Sequence, residues 1–276
     1  MTFVVIGDLM ADVVAAHGAP LARGSDTPAR TELHGGGAGG NVAAWLAHAG
    51  ADVALVGRVG GDPLADVALE GLADVELRVA RAGGERTGIC VVLVGPDGER
   101  TMLPDPGANS ALSAAELPDD LFAAGNVLYL SGYTLLRERS RPAAQAALAR
   151  ARVRGMPIAL DAASAAPLEG APEFMAWAGP VDLLLANAAE AAVLGGADGA
   201  RELVVKRGAG GASWTDGTRT IALPAEPAEA RDTTGAGDAF AAGFLTAWPG
   251  PPQPALERAT ALAVLAVTRA GARPGP

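Results

Sequence analysis

The chain has 276 residues, half of them hydrophobic but only 4% aromatic, so its core must be built mainly from Ala, Val and Leu. A formal charge of −10 disfavours a nucleic-acid or anionic-membrane surface, where a basic face is expected. Cys90 is the only cysteine, which excludes an intrachain disulfide and any multi-thiolate metal site and suits a reducing, cytoplasmic setting.

Taken in order, short apolar runs of strand length alternate with alanine-rich helical patterns. The strand candidates are 3–7, 53–57, 126–131, 157–161, 181–185 and 203–206, followed by 212–215 and 218–222. Helical patterns fall at 40–49, 62–73, 140–154, 187–194, 236–247 and 254–268. Near-continuous apolar strands separated by helices predict a parallel sheet covered on both faces, an α/β layered fold. The opening run has no basic segment before it and reads as a buried strand, not a signal peptide. No stretch offers the roughly 20 apolar residues of a membrane span.

Two segments break the rhythm. Residues 12–33 follow the first strand without an obvious helix, and 86–103 hold two β-prone runs around a Pro96-Asp97-Gly98 turn, which predicts a hairpin. Together they suggest a small antiparallel sheet over a site, a lid; an ordinary edge hairpin fits the same residues.

The run Gly35-Gly36-Gly37-Ala38-Gly39-Gly40 satisfies the dinucleotide pattern G-x-G-x-x-G, but the strand that fingerprint requires ends far upstream, near Gly7. A P-loop is excluded, because the only lysine, Lys206, lies between Val205 and Arg207. More informative is Asp232-Thr233-Thr234-Gly235-Ala236-Gly237-Asp238, which opens an apolar helix. Backbone amides at a helix N-terminus, with small side chains around them, make an anion site. Asp238 in that first turn is either a helix stabiliser or a base that takes the proton of an attacking hydroxyl.

These residues identify a resemblance to the ribokinase-like (PfkB) carbohydrate and nucleoside kinases. The second signature is the stretch just quoted; the first is Gly36-Gly37-Ala38-Gly39-Gly40-Asn41-Val42-Ala43, followed at the family's spacing by Gly50 and Gly60. The resemblance covers essentially the whole chain as a single kinase domain, residues 1–276. It implies a three-layer α/β/α fold with a central, mostly parallel sheet and a small β-sheet lid formed by about 12–33 and 86–103.

The resemblance implies Asp238 as catalytic base and the amides of Gly235, Ala236 and Gly237 as an anion hole. It implies Asp12, Gly36, Gly37, Gly39, Gly40 and Asn41 as substrate contacts, with Gly132 after the strand 126–131. Asn187 and Glu190 match an Asn-x-x-Glu element of the magnesium and phosphate region, and the same two residues read equally as an N-cap with its capping-box glutamate. Lys206, Gly208 and Gly211 fall on the nucleotide side, where Lys206 is a phosphate ligand or a solvated cation. Asp232 and Thr234, with Ala266, Arg269 and Gly271, match a monovalent-cation (potassium) loop, although Gly275 replaces a hydroxyl residue often found there. Cys90 and the three histidines read as core or surface residues without chemistry.

The implied activity is ATP- and magnesium-dependent transfer of the γ-phosphoryl group to a hydroxyl, a primary CH₂OH, of a sugar such as ribose. A nucleoside kinase (pseudouridine or adenosine) is the alternative on the same scaffold, and a non-catalytic sugar- or nucleotide-binding sensor the alternative of another class. Pairing of two copies through the lid is implied as well.

Overall fold

The computed structural model describes residues 1–196 and 198–275. The chain opens with β1 (Thr2–Ile6), whose buried, largely β-branched residues enter the interior of a nine-stranded sheet, third from one edge. Two strands of a second sheet follow, β2 (Met10–His17) and β3 (Ala29–Gly36), and then α1 (Ala38–His48). The large sheet continues with β4 (Asp52–Gly60), α2 (Leu64–Leu69) and β5 (Glu76–Ala82), and the small one is completed by β6 (Gly88–Val94) and β7 (Arg100–Asp105). The remaining strands of the large sheet are β8 (Val127–Ser131), β9 (Ile158–Asp161), β10 (Val181–Asn187), β11 (Ala200–Lys206), β12 (Ala212–Thr215) and β13 (Thr220–Leu223). Helices α3 (Gly132–Leu136), α4 (Arg141–Arg154), α5 (Ala165–Glu169), α6 (Phe174–Ala178) and α7 (Ala188–Leu194) lie between them, and α8 (Ala236–Leu245) and α9 (Pro252–Val267) close the chain.

The order across the large sheet is β13-β12-β11-β10-β9-β8-β1-β4-β5. All neighbours from β11 to β5 pair in parallel, and β12 and β13 run antiparallel at one edge. Alternation along each strand splits the core in two. Phe3, Val5, Leu55 and Tyr129 pack under α1, α8 and α9, while Val4, Ile6, Leu128 and Leu130 pack against α4 and α6. This is the expected three-layer arrangement. β5 was not anticipated, because its charged residues alternate with apolar ones at a sheet edge.

The small sheet has the order β3-β2-β6-β7. Segment 12–33 thus supplies strand and no helix, and Thr31–His34, too polar for a parallel strand, pairs antiparallel with β2. The sheet is mixed and not antiparallel throughout as expected, because β2 and β6 come from separate segments and pair in parallel. β6 and β7 form the hairpin around Pro96-Asp97-Gly98. Register places Asp12, His34, Cys90 and Pro104 on one face of this sheet and Val13, Leu33, Val91 and Leu103 on the other.

Candidate active site

A cavity of about 1140 Å³ opens at the carboxyl ends of the parallel strands, between the two sheets. Chain polarity explains its lining: polar residues follow apolar strands at that edge, Asp8 after β1, Asp161 at the end of β9, Asn187 at the end of β10 and Lys206 at the end of β11. Ligand sites of open α/β sheets lie at this edge.

Asp238 stands in the first turn of α8 on the cavity wall. The turn requires Gly235, whose φ of +73° is left-handed and whose missing Cβ would lie 2.3 Å from the Ala272 carbonyl oxygen. Of the three expected anion-hole amides, Ala236 N–H donates to the Thr233 carbonyl at 3.3 Å. Among the described residues the amides of Gly235, Gly237 and Asp238 have no acceptor, so Asp238 takes the place of Ala236 in the expected set of free donors. Asp238 Oδ2 accepts from Asn41 Nδ2 at 2.9 Å, and Oδ1 has no partner among the described residues. Burial pushes the Asp238 carboxyl up to about 7; the Asn41 bond and Lys206 oppose the rise, and Asp161 and Asp8 add to it.

At one end of the cavity Asp12 projects from β2, and burial raises its carboxyl to about 6 although Arg273 counteracts this. Asp8 is buried beside it and accepts from Arg137 Nη2 at 3.3 Å. Asn41 and Gly37 line this end, but Gly36, Gly39, Gly40 and Gly132 do not. Their missing side chains serve packing: a Cβ on Gly36 would strike the Asp12 carboxylate, one on Gly39 the Gly7 backbone, one on Gly40 the Arg273 guanidinium and one on Gly132 the Asp161 carbonyl. Tyr133, next to Gly132, does line the cavity, and so does Cys90, whose thiol burial pushes up to about 11.

At the other end Asn187 and Glu190 form a complete capping box. Glu190 N–H donates to Asn187 Oδ1 at 2.9 Å and Asn187 N–H to Glu190 Oε2 at 2.7 Å, while both residues line the cavity. The structural and the cavity-facing readings therefore hold together. Burial, with Asp161 close by, raises Glu190 to about 7. Lys206 is no solvated cation: its ammonium donates to Asp161 Oδ2 at 3.0 Å and lies 3.7 Å from where a Cβ of Gly237 would stand. Gly208 and Gly211 line the wall beyond it.

Among the described residues no three His, Cys, Asp or Glu side chains converge as a protein-built metal cage. Magnesium needs only one or two carboxylates plus phosphate oxygens, and Glu190 and Asp161 stand on the cavity wall as candidates, each oxygen already accepting one hydrogen bond, from Asn187, Ala163 or Lys206. The expected monovalent-cation loop fits less well. Asp232 Oδ1 accepts from Arg100 Nη2 and Thr234 N–H at 2.7 Å each, Oδ2 accepts from Gly271 N–H at 3.0 Å, and the Ala266 carbonyl accepts from Arg269 N–H at 3.1 Å. Arg100, reaching across from β7, already supplies the positive charge.

Sequence reasoning assigned no role to Asp8, Asp161, Arg137, Arg100 or Arg273. Asp8 and Asp161 carried a usable signal, since each is the carboxylate at the end of an apolar parallel strand. Arg273 carried none: its guanidinium donates to Asn41 Oδ1 at 3.3 Å, to the Gly36 carbonyl at 2.6 Å and to the Glu70 carbonyl.

The chain is similar to known proteins along its whole length. A family model described as pfkB family carbohydrate kinase matches residues 2–276. An ATP-dependent ribose-1-phosphate kinase of Halopiger xanaduensis is 34% identical over 273 residues, 93% of this chain and 88% of that one. Among solved structures, adenosine kinase from Sinorhizobium meliloti superposes with a TM-score of 0.86 at 25% identity, covering 99% of this chain and 95% of that one. Arabidopsis thaliana ribokinase complexed with ribose and ATP does so with a TM-score of 0.77 at 26% identity, covering 98% and 93%.

Proposed function

Because this chain belongs to the PfkB family of carbohydrate kinases, phosphotransferases with a hydroxyl acceptor, we propose that it transfers the γ-phosphoryl group of ATP to the primary hydroxyl of a furanose sugar, ribose first. One observation carries the reading. The unpartnered Oδ1 of Asp238 and the acceptor-free amides beside it share the cavity wall with the hydroxyl-binding side chains Asp8, Asp12 and Asn41. Two carboxylates and an amide offer a polyol ring paired contacts.

In this reading Asp238 Oδ1 takes the proton as the hydroxyl oxygen attacks phosphorus and ADP leaves. The amides of Gly235, Gly237 and Asp238 stabilise charge on the transferring group, and Lys206 faces the same turn. Asn187, Glu190, Gly208 and Gly211 form the ATP side. Magnesium held with ATP at Glu190 and Asp161 would neutralise phosphate charge. The small sheet acts as a lid that excludes water, since its Asp12 and Cys90 face lines the cavity. Its opposite face leaves Leu33 and Leu103 more than half exposed, which supports pairing of two lids, and a monomer at every concentration in sedimentation would reject that pairing. An ATP-consuming enzyme with one unpaired cysteine belongs in the cytoplasm.

A nucleoside acceptor is the second reading, favoured by Tyr133 on the cavity wall with Arg137 5.3 Å above its ring, a surface on which a base can stack. ADP release measured with ribose, ribose 1-phosphate, fructose, adenosine and pseudouridine separates the readings. Ribose is expected to give the highest kcat/KM by about tenfold, a difference of about 1.4 kcal/mol. A higher value for either nucleoside would replace ribose with the second reading.

A further inference from the structure

Arg273 lies outside every motif of the sequence and off the cavity wall, yet it is 7% exposed and meets Asn41, the residue bonded to Asp238. We infer that Arg273 is a positioning residue for the phosphoryl-transfer base: its guanidinium fixes the orientation of the Asn41 amide, so that Asn41 presents N–H to Asp238.

Donor and acceptor chemistry decides which way the Asn41 amide turns. A guanidinium has five N–H donors and no acceptor, whereas the two ends of an asparagine amide are alike in shape and opposite in polarity. Arg273 Nε approaches Asn41 at 3.3 Å, so the atom it meets must be Oδ1. The nitrogen is thereby turned to the other side, where it donates to Asp238 Oδ2 at 2.9 Å. A reversed amide would set N–H against N–H at one end and oxygen against carboxylate at the other. With Oδ2 held, Oδ1 is the oxygen left for the acceptor hydroxyl.

The guanidinium itself has no freedom to follow a turning amide. Nη2 donates to the Gly36 carbonyl at 2.6 Å and Nη1 to the Glu70 carbonyl. A Cβ on Gly35 would stand 2.5 Å from Nη1 and one on Gly40 2.2 Å from Nη2, so the glycine run is partly the socket of this arginine. The preceding residue is pinned by Trp45, whose indole N–H donates to the Ala272 carbonyl at 2.9 Å.

Charge acts in the same direction as geometry. Asp238 faces Asp161 from β9, Asp8 from the end of β1, Lys206 from β11 and Asn41 from α1, with the Arg273 cation behind Asn41. Burial lowers the guanidinium to about 10, which leaves it protonated at neutral pH, and it also opposes the rise of Asp12, itself close to His34. Loss of Arg273 removes a cation and frees the amide, and both raise the Asp238 carboxyl further.

The inference rests on the reading of Asp238 as the base, and the test separates the two. The kcat of the wild type, R273M, R273K, N41A, the R273M/N41A double variant and D238N is measured across pH with saturating ribose and ATP. R273M is expected to lose about tenfold to a hundredfold in kcat at pH 7, with the acid limb displaced upward by about one pH unit. R273K, which keeps charge and a donor, should recover a large part of both. On the alkaline plateau, where the charge effect on Asp238 no longer limits the rate, the double variant should be no slower than N41A, because the arginine positions the base through the asparagine. R273M with a lowered Tm but an unmoved kcat and acid limb would make Arg273 merely structural, and losses that multiply in the double variant would place its action elsewhere. If R273M does not fold, R273Q replaces it with the same expected direction of the limb. Near-normal turnover by D238N sinks the base itself, whereas an inactive D238N beside an unaffected R273M sinks only the inference.

Discussion

At the end of the cavity proposed for the acceptor the contacts span most of the chain: Asn41 bonds Asp238 across 197 residues, and Arg273 bonds Asn41 across 232. At the donor end several are local, with Asn187 and Glu190 three residues apart and Arg207 folding back onto the Val205 carbonyl two residues away, while Lys206 reaches Asp161 across 45 residues and Arg100 reaches Asp232 across 132. The first end is a closed network in which Arg273, Asn41 and Asp238 each fix the next. The second has a cavity wall formed partly by the irregular segment 225–234, and where the two ends meet the amides of Gly235, Gly237 and Asp238 have no acceptor among the described residues. The difference fits the division of labour in phosphoryl transfer. The base and the acceptor hydroxyl need sub-ångström placement, whereas a flexible polyphosphate can complete a donor site that is only partly organised.

The severest way to break the closed end is D238N, which keeps an acceptor for Asn41 and so keeps the fold. The expected loss in kcat is about 10²–10⁴-fold. The pH dependence sharpens the point. With Asp238 near 7, wild-type kcat/KM should rise with pH through neutrality, and the residual activity of D238N should lack that limb. The stability effect has the opposite sign. The folded state binds this proton more tightly than the unfolded chain does, so the group's contribution to stability falls as pH rises from the ordinary carboxylate value to about 7. D238N should therefore raise Tm at pH 8 and change it little at pH 4, as thermal denaturation at the two pH values would show; a lowered Tm at pH 8 would mean that the carboxylate is stabilised where it stands.

The same contrast explains what the sequence made legible. The layers, most strands and the α8 turn could be read because they rest on local patterns: apolar runs, an alanine-rich helix, small residues before Asp238. The Asn187 and Glu190 pair was legible for the same reason, with spacing of three on a helix start. Arg273 was not, since nothing within a window around it differs from a surface arginine near the end of the chain; its role arises only when β3, α1 and the last segment meet. The glycines at 36, 39 and 40 were assigned to the substrate loop, but what fills the space beside them is Asp12, the Gly7 backbone and Arg273, not the cavity. Arg100 escaped notice because a hairpin in one sheet gives no local sign that it reaches the loop of another.

Arg100 offers a milder test, at the donor end. It joins β7 to Asp232 at 2.7 Å and to Thr233, just ahead of the α8 turn. If its guanidinium takes the place of a monovalent cation, wild-type activity should be the same in sodium and potassium chloride at equal ionic strength. R100A should raise KM for ATP about threefold to tenfold, the loss of one hydrogen bond worth about 1 kcal/mol, and should gain a preference for potassium. Strong potassium stimulation of the wild type would show that the arginine does not fill the cation's place.

The smallest effect is expected beneath both ends, at Tyr129. Its side chain is fully buried between β8 and the α1 and α8 layer, and its hydroxyl has no hydrogen-bond partner among the described residues. Burial, and then the carboxylates of Asp161, Asp238, Asp8 and Glu190, push the phenol well above its ordinary value, so it stays a neutral, unpaired donor. Leaving such a group unsatisfied costs about 1–3 kcal/mol, and Y129F removes that cost without changing volume. Tm should therefore stay level or rise by a few degrees, with kcat within about twofold of the wild type because no step is assigned to the hydroxyl. A fall in Tm together with a loss of kcat would show instead that the hydroxyl is satisfied in solution and supports the carboxylates above it, extending the closed network of the acceptor end into the core of the sheet.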